Sequence, residues 1–291
     1  MQKITYINLR NEQIVFQYAP YVLEKHTGLA MMPDMEFETV RGVYQQGETT
    51  AGFRRPFRPV TVYFHLMAGT VKGMYQLRTQ LQGILSPDRA MSGTERARLI
   101  YENDSGRWVT DAIPDGGLEP SKRIGSVQPE LKVNFRCESP YLYATLEEET
   151  TFQYTGTGFT LPFEFPIEFG LNDFTKEVFN VGQVDAPVEI WIECKGETPK
   201  LINESTGAVL TLAGPVATGN TLYINTDPAK LDATITDAEG NVTGAFGRLS
   251  LDTSVADFFL RPGINKLVYD TGGEIPQSVI RVRWRPAYEG V

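Results

Sequence analysis

The side chains that most often take part in catalysis and metal binding are scarce in this chain of 291 residues. It contains two histidines, His26 and His65, and two cysteines, Cys137 and Cys194. So few imidazole and thiol groups leave little room for a zinc site or for a nucleophile paired with a base. We therefore predict no catalytic, metal-binding or cofactor-binding residue, and we expect a protein that is not an enzyme and uses no cofactor.

The two cysteines are far apart in the sequence, and each lies among strand-like residues. They form no CxxC pair and match no zinc spacing. We therefore predict two reduced thiols, buried separately in the core, rather than a disulfide.

Carboxylates are the remaining chemical candidates. Glu147–Glu149 form one acidic run, and Glu164 and Glu168 form a second group, so a glycosidase pair could in principle be drawn from them. The chain has 36 Asp and Glu residues in all, so their spacing alone is weak support for a hydrolase. Thr155–Gly158 lacks the third glycine of a dinucleotide-binding loop and is interpreted as part of a linker.

The formal net charge of −9 is unevenly distributed along the chain. Residues 1–143 hold 17 basic and 15 acidic side chains, a net charge of +2, whereas residues 144–291 hold 10 and 21, a net charge of −11. The charge changes where the sequence becomes polar and glycine-bearing, which predicts two domains, 1–143 and 161–291, joined by a linker at 144–160. An acidic chain repels a phosphate backbone, so nucleic acid is not expected as a specifically bound ligand.

No apolar stretch has the length of a signal peptide or a membrane span, so we expect neither export nor membrane insertion.

The first domain is predicted to be α+β. Short runs of β-branched and aromatic residues, separated by Gly, Pro and Asn, are typical of strands; they comprise 4–9, 14–18, 60–66 and 99–102. Between 70 and 85 the apolar residues recur at intervals of three and four, which predicts one amphipathic helix that Pro87 terminates.

The densest basic cluster of the sequence lies in this domain and contains aromatic rings. Its members are Arg54, Arg55, Phe57 and Arg58. Three interpretations remain open: a nucleic-acid contact, a solvated loop before a strand, and a protein interface. The last is favoured, because guanidinium groups pair with carboxylates and stack on aromatic rings, and the four residues are therefore candidates for a subunit interface.

The second domain is predicted to be an antiparallel β-sandwich of the galectin-like or jelly-roll kind. Apolar residues alternate with polar ones and turns recur every eight to twelve residues. In the last long strand Ile280, Val282 and Trp284 share one face, and three arginines, Arg281, Arg283 and Arg285, share the other. An earlier strand, 188–194, places Glu189, Trp191 and Glu193 outward in the same way, and we predict that Glu189 or Glu193 pairs with the arginine row.

Trp191 and Tyr223 are the outward aromatic residues of this domain. An exposed aromatic ring on a sandwich can stack on a sugar, but it can equally pack against the first domain or a neighbouring subunit. The two residues are therefore candidates for a carbohydrate or partner contact.

Several short motifs follow one another in the second half of the sequence: FRCESPY at 135–141, LPFEFPI at 161–167, GNTLYINT at 219–226, FFLRPGIN at 258–265 and YEGV at 288–291. Their order resembles that of the distal tail protein (Dit) family of siphophages, a tail-tip or baseplate hub component. The strongest part of the resemblance runs from 131 to 291.

The resemblance implies a mainly β protein with an N-terminal ring-forming (belt) domain and a peripheral galectin-like domain. It implies a structural virion protein of a long, non-contractile phage tail, assembled in the host cytoplasm as a hexameric ring, with one ring or two stacked rings. The implied partners are further copies of the chain, the tail tube protein and the hub, fibre or lysin protein of the tail tip, with DNA passing through the ring lumen without specific binding. The alternative is a carbohydrate-binding module that contacts the host cell wall, and a tail-tip hydrolase ranks third.

Overall fold

The computed structural model describes residues 2–118, 122–153, 174–270 and 278–291. They form two compact units, Met1–Thr145 together with Tyr288–Val291, and Leu146–Ala287. The fold is mainly β, with a single α-helix among the described residues. None of the described helices is long and apolar enough to cross a membrane.

The elements of the first unit are numbered in chain order. They are β1 (Lys3–Ile7), β2 (Gln13–Phe16), β3 (Tyr21–Thr27), β4 (Glu36–Val40), β5 (Thr49–Arg54), β6 (Arg58–Met67), α1 (Val71–Ile84), a 3-10 turn (Pro87–Arg89), β7 (Met91–Ser92), β8 (Glu95–Arg96), β9 (Arg98–Asn103), β10 (Gly106–Asp111), β11 (Ile113–Pro114), β12 (Val127–Cys137) and β13 (Leu142–Ala144).

The remaining elements follow. They are β14 (Glu148–Gln153), β15 (Phe174–Asn180), β16 (Ala186–Glu193), β17 (Lys200–Asn203), β18 (Ala208–Thr211), β19 (Thr221–Asn225), β20 (Asp232–Thr236), β21 (Val242–Gly244), two 3-10 turns (Phe246–Arg248 and Val255–Asp257), β22 (Phe259–Leu260), β23 (Gly263–Asp270), β24 (Val279–Trp284) and β25 (Ala287–Tyr288).

The first unit is built around two antiparallel sheets that enclose an apolar core. One sheet has the order β2-β1-β9-β10-β13-β25 and the other the order β11-β12-β6-β3. Rings from the two sheets meet between them, as Tyr6 and Phe135 do with centroids 5.2 Å apart. The first unit is therefore α+β, as predicted. Its strands form the two sheets, and the one described helix packs against them.

The predicted helix is present as α1, within one residue of the expected bounds at each end. Thr70 caps its N-terminus by accepting a hydrogen bond from the Gly73 amide at 3.1 Å. Met74, Leu81 and Ile84 are buried on the face that the spacing indicated. The three-and-four periodicity therefore located this element correctly.

The second unit is an antiparallel sandwich. A seven-stranded sheet has the order β14-β24-β16-β19-β20-β21, with β22 also paired to β16, and a four-stranded sheet has the order β15-β23-β17-β18. Most of the longer strands bury alternate residues in the core, including Ile190, Ile224, Leu267 and Val282. The predicted mainly β fold with an antiparallel sandwich is confirmed.

The division of the chain differs from the predicted one in two respects. Residues 148–153, predicted as linker, form β14 at the edge of the seven-stranded sheet, and 154–160 lie outside the described residues. An edge strand can carry many outward polar side chains, which made this acidic run look like a linker; its Phe152 is nonetheless buried in the core. Residues 288–291, predicted as part of the second domain, belong to the first unit.

The two cysteines are free and buried, one in each unit, as predicted. Burial raises the pKa of the Cys137 thiol to about 12 and does the same for Cys194. Both thiols are therefore protonated at neutral pH and act as small apolar core groups.

Candidate functional site

The arginine cluster lies where β5 ends and β6 begins, and its members have different surroundings. The Arg54 side chain is 82% exposed and donates from Nε to Glu36 at 2.6 Å, across the β4–β5 hairpin. Phe57 is partly exposed and lies beneath the Arg136 guanidinium, 3.7 Å from its ring centroid. Arg54 and Phe57 are thus available at the surface of the first unit.

Arg55 is largely enclosed by its own unit. Its guanidinium forms an ion pair with the Glu289 carboxylate. The same group lies over the rings of Phe53, at 5.3 Å, and Tyr141, at 5.7 Å. Its side chain keeps about a fifth of its surface exposed, so it can contribute only an edge to any interface.

Arg58 is the exception to the surface prediction, because it is buried with 1% relative exposure. It donates to four backbone carbonyls: to Pro140 at 2.7 Å, to Met31 at 3.1 Å, and to Gly28 and Glu289. Burial lowers the pKa of its guanidinium from the usual value. Arg58 therefore joins separate stretches of the first unit, and the prediction that it lies at a subunit interface is corrected for this side chain.

A hairpin that the sequence did not single out adjoins the cluster. All five residues of β4 are exposed, including Phe37 and Val40, and Phe53 on β5 lies opposite Phe37 in register. Val43 and Tyr44, between the strands, are 94% and 96% exposed. A two-stranded hairpin is marginally stable alone, and this one leaves large apolar groups in water. We refer to residues 36–54 as the exposed hairpin.

The outer face of the seven-stranded sheet carries a network of charges in the second unit. Glu189 lies opposite Arg283 in the register of β16 and β24, and Arg283 Nε donates to Glu189 Oε2 at 2.8 Å. Tyr223 also donates to Glu189, at 3.1 Å, while Glu147 pairs with Arg283 at 3.3 Å and with Arg285 at 2.5 Å. Hydrogen bonding to Glu189 raises the pKa of Arg283. The predicted pairing of Glu189 with the arginine row is confirmed.

Trp191 and Tyr223 lie within this network, side by side with ring centroids 5.2 Å apart. The guanidinium groups of Arg281 and Arg283 lie over the Trp191 ring, at 4.5 and 4.7 Å from its centroid. A sugar stacking on that ring surface would have to displace the arginines. The structure therefore brings the two candidate aromatics together, but with their own cationic partners in place.

The acidic residues considered for glycosidase chemistry are not assembled in the described structure. Glu147 is held in ion pairs with arginines, and Glu164 and Glu168 lie outside the described residues, as does the 155–158 stretch. Within the described ranges, no group of three or more His, Cys, Asp or Glu side chains could hold a metal ion. The described surfaces instead present aromatic rings, arginines and the exposed hairpin, which are suited to contact with other molecules.

The fold and these surfaces define a class: a mainly β protein of two antiparallel units, with its candidate residues arranged for contact. No family model matches the chain, and no curated protein matches it by sequence. Its fold is that of Dit from the phage SPP1, described as a paradigm of the hub adsorption apparatus in phages that infect Gram-positive bacteria. The TM-score is 0.67 at 12% identity, over 98% of this chain and 99% of Dit.

The phage p2 baseplate in its activated conformation contains a chain of the same fold. The structure with strontium aligns at a TM-score of 0.50 and 9% identity, over 100% of both chains. The structure with calcium aligns at 0.50 and 10% identity, over 100% of this chain and 99% of the other. The resemblance to the distal tail family is thus confirmed at the level of the fold, over both units.

Proposed function

We propose that this protein is a structural component of a phage tail tip, a hub that works by binding its neighbours. The observation that carries the proposal is the agreement of fold with SPP1 Dit over nearly the whole of both chains. A fold shared by both units, in the same order, favours a shared kind of task over two unrelated ones. In this proposal the protein is a virion component, assembled in the host cytoplasm, and not an enzyme.

We propose further that the chain associates with itself as a hexameric ring, single or stacked. The support comes from the first unit, where the exposed hairpin presents Phe37, Val40 and Phe53 to solvent beside Arg54 and Phe57. Aromatic and arginine side chains are enriched at the centres of protein interfaces. A heterologous contact of this hairpin with a different surface of the next copy closes into a ring if the rotation between copies permits.

The charge distribution supports the same assembly. The near-neutral part, residues 1–143 with a net charge of +2, can bring copies together without strong repulsion. A hexamer carries 6 × −9 = −54 formal charges. A mainly acidic lumen or periphery would let DNA pass through such a ring without binding specifically.

The remaining partners are proposed on the resemblance alone. They are the tail tube protein on one side of the ring and the hub, fibre or lysin protein of the tail tip on the other. The carbohydrate-binding alternative loses support, because the Trp191 ring already carries two guanidinium groups.

Electron microscopy of the purified chain tests the proposal. Class averages should show closed rings with six-fold rotational symmetry, and a variant with Phe37→Ser and Phe53→Ser should give few or none. A matched control, Val242→Ser on the second unit, removes an apolar group that is also exposed, at 64%, and should leave the rings intact. Open filaments or particles without rotational symmetry would contradict the proposal.

A further inference from the structure

The first unit is discontinuous in sequence, because residues 288–291 return to it after the whole second unit. The return segment, as we call these four residues, is bound through charge, backbone and packing at once. Its Tyr288 is in β25, at the edge of the six-stranded sheet. Its Val291 packs against the apolar core of the first unit.

Two arginines of the basic cluster, Arg55 and Arg58, bind the return segment through their charged groups. Arg55 pairs with the Glu289 carboxylate, and Arg58 donates to the Glu289 backbone carbonyl. Because Arg58 is fully buried, each carbonyl it loses leaves part of a cation unsatisfied in a medium of low polarity. The return segment therefore stabilises a charge that the rest of the unit cannot satisfy alone.

The packing part of the contact is close. Tyr288 meets Trp108 edge-on, with ring centroids 6.2 Å apart. Gly290 approaches the backbone of the 30–31 stretch so closely that an added Cβ would lie 2.8 Å from the Met31 carbonyl. Only glycine fits at that position without displacing the backbone of Met31.

We propose that the return segment is a latch: it must dock on the first unit before that unit reaches the state that associates with other copies. Residues 288–291 are synthesised only after residues 146–287, so a chain with an incomplete second unit lacks the latch. Such a chain would be excluded from the assembly. Association through the first unit would therefore depend on completion of the second unit. The docking half of this proposal stands on the contacts alone, and the assembly half rests on the proposed function.

The test uses the full chain, a chain that ends at Ala287, and a synthetic peptide of residues 286–291. Hydrogen exchange is measured separately in β6, β9 and β10 of the first unit and in β16 and β24 of the second. Removal of the latch should accelerate exchange in the first unit by about tenfold or more and leave the second unit unchanged. Added peptide should restore protection and shift the tryptophan emission of the chain, because Tyr288 contacts Trp108, whereas a peptide with Gly290→Val should do neither.

Two full-length variants cover the case in which the shortened chain does not fold. Gly290→Ala should accelerate exchange in the first unit, while Gly69→Ala, where an added Cβ meets nothing within 4 Å, should not. Equal exchange in the first unit with and without residues 288–291 would overturn the latch, and so would equal exchange for Gly290→Ala and Gly69→Ala.

The assembly half is read from the native mass of the same samples. If the full chain is monomeric while the latch still protects the first unit, the proposed function fails and the docking half stands. If the full chain assembles and the latchless chain assembles equally well, the latch does not control assembly.

Discussion

Glu189 and Arg283 face each other across the antiparallel pair β16–β24, and Arg283 Nε donates to Glu189 Oε2 at 2.8 Å. The contact is part of a larger network, since Tyr223 donates to the same carboxylate and Glu147 contacts the same arginine. Both members of the pair keep about a third of their side-chain surface exposed. The interaction therefore organises the outer face of the sheet more than it stabilises the fold.

A double-mutant cycle should give this pair a measurable but modest coupling. Glu189→Gln and Arg283→Gln, singly and together, should show an interaction free energy of roughly 0.5–1 kcal/mol in urea unfolding. The exposed pair formed by Lys266 and Glu204, at 2.7 Å, is the matched comparison and should give less. A coupling of zero between Glu189 and Arg283 would show that the network adds nothing to the fold.

Arg58→Met should strongly destabilise the first unit, although the substitution keeps most of the apolar side-chain volume. It leaves several buried carbonyls without a donor, and we expect a loss of about 3 kcal/mol in the free energy of unfolding. Arg10→Met, at an exposed position of the same unit, should change it by less than about 0.5 kcal/mol. Equal effects of the two substitutions in denaturant unfolding would contradict the structural role of Arg58.

His26 should make the first unit less stable in mild acid. Burial lowers the pKa of its imidazole below 6.5, its ring lies 4.9 Å from that of Tyr101, and Nδ1 has no hydrogen-bond partner among the described residues. Protonation is thus easier in the unfolded chain than in the folded one. His26 therefore lowers the free energy of unfolding as the pH falls through 6.5, and it has little effect well above that pH. In proton NMR the titration midpoint of His26 should lie below 6.5, and a midpoint at or above it is the contrary result.

His26→Phe should reduce that acid sensitivity, since phenylalanine keeps the ring contact with Tyr101 and carries no charge. The measurement is the change in unfolding free energy between about pH 7 and pH 5 in both proteins. An acid-induced loss of the same size in the variant would assign it to other groups.

Trp191→Ala should affect stability and not sugar binding. The substitution removes the ring that lies under Arg281 and Arg283 and beside Tyr223. We expect a loss of about 1–2 kcal/mol in unfolding free energy from the cation–π and aromatic contacts. On a glycan array the wild type and the variant should be indistinguishable, and sugar binding that disappears with Trp191→Ala would restore the carbohydrate-binding alternative.

The sequence predicted those parts of the fold in which one face of an element is buried. The alternation of Ile280, Val282 and Trp284 with three arginines identified β24, and the spacing from Met74 to Ile84 identified α1, because burial of one face imposes a period. The exposed hairpin has no buried face, so burial imposes no period on its sequence and gave no comparable signal. A surface that only another chain covers is exposed within this chain, so the alternation of buried and exposed residues does not reveal it.

The role of Arg58 lay beyond sequence reasoning for a different reason. Its four acceptors are backbone carbonyls at Gly28, Met31, Pro140 and Glu289, and backbone groups have no residue type that a pattern could reveal. All four acceptors are also distant from Arg58 along the chain, at separations of 27 residues or more. An arginine in an Arg-Arg-Pro-Phe-Arg run is typical of a surface, and only the fold shows that its last member is buried.

Self-association is the central claim, and the molar mass in solution tests it most directly. Multi-angle light scattering of the purified full chain, over a range of concentrations, should give a species of 6 × 32.5 = 195 kDa for a single ring, or 12 × 32.5 = 390 kDa for two stacked rings. A mass of 32.5 kDa at every concentration would contradict the ring.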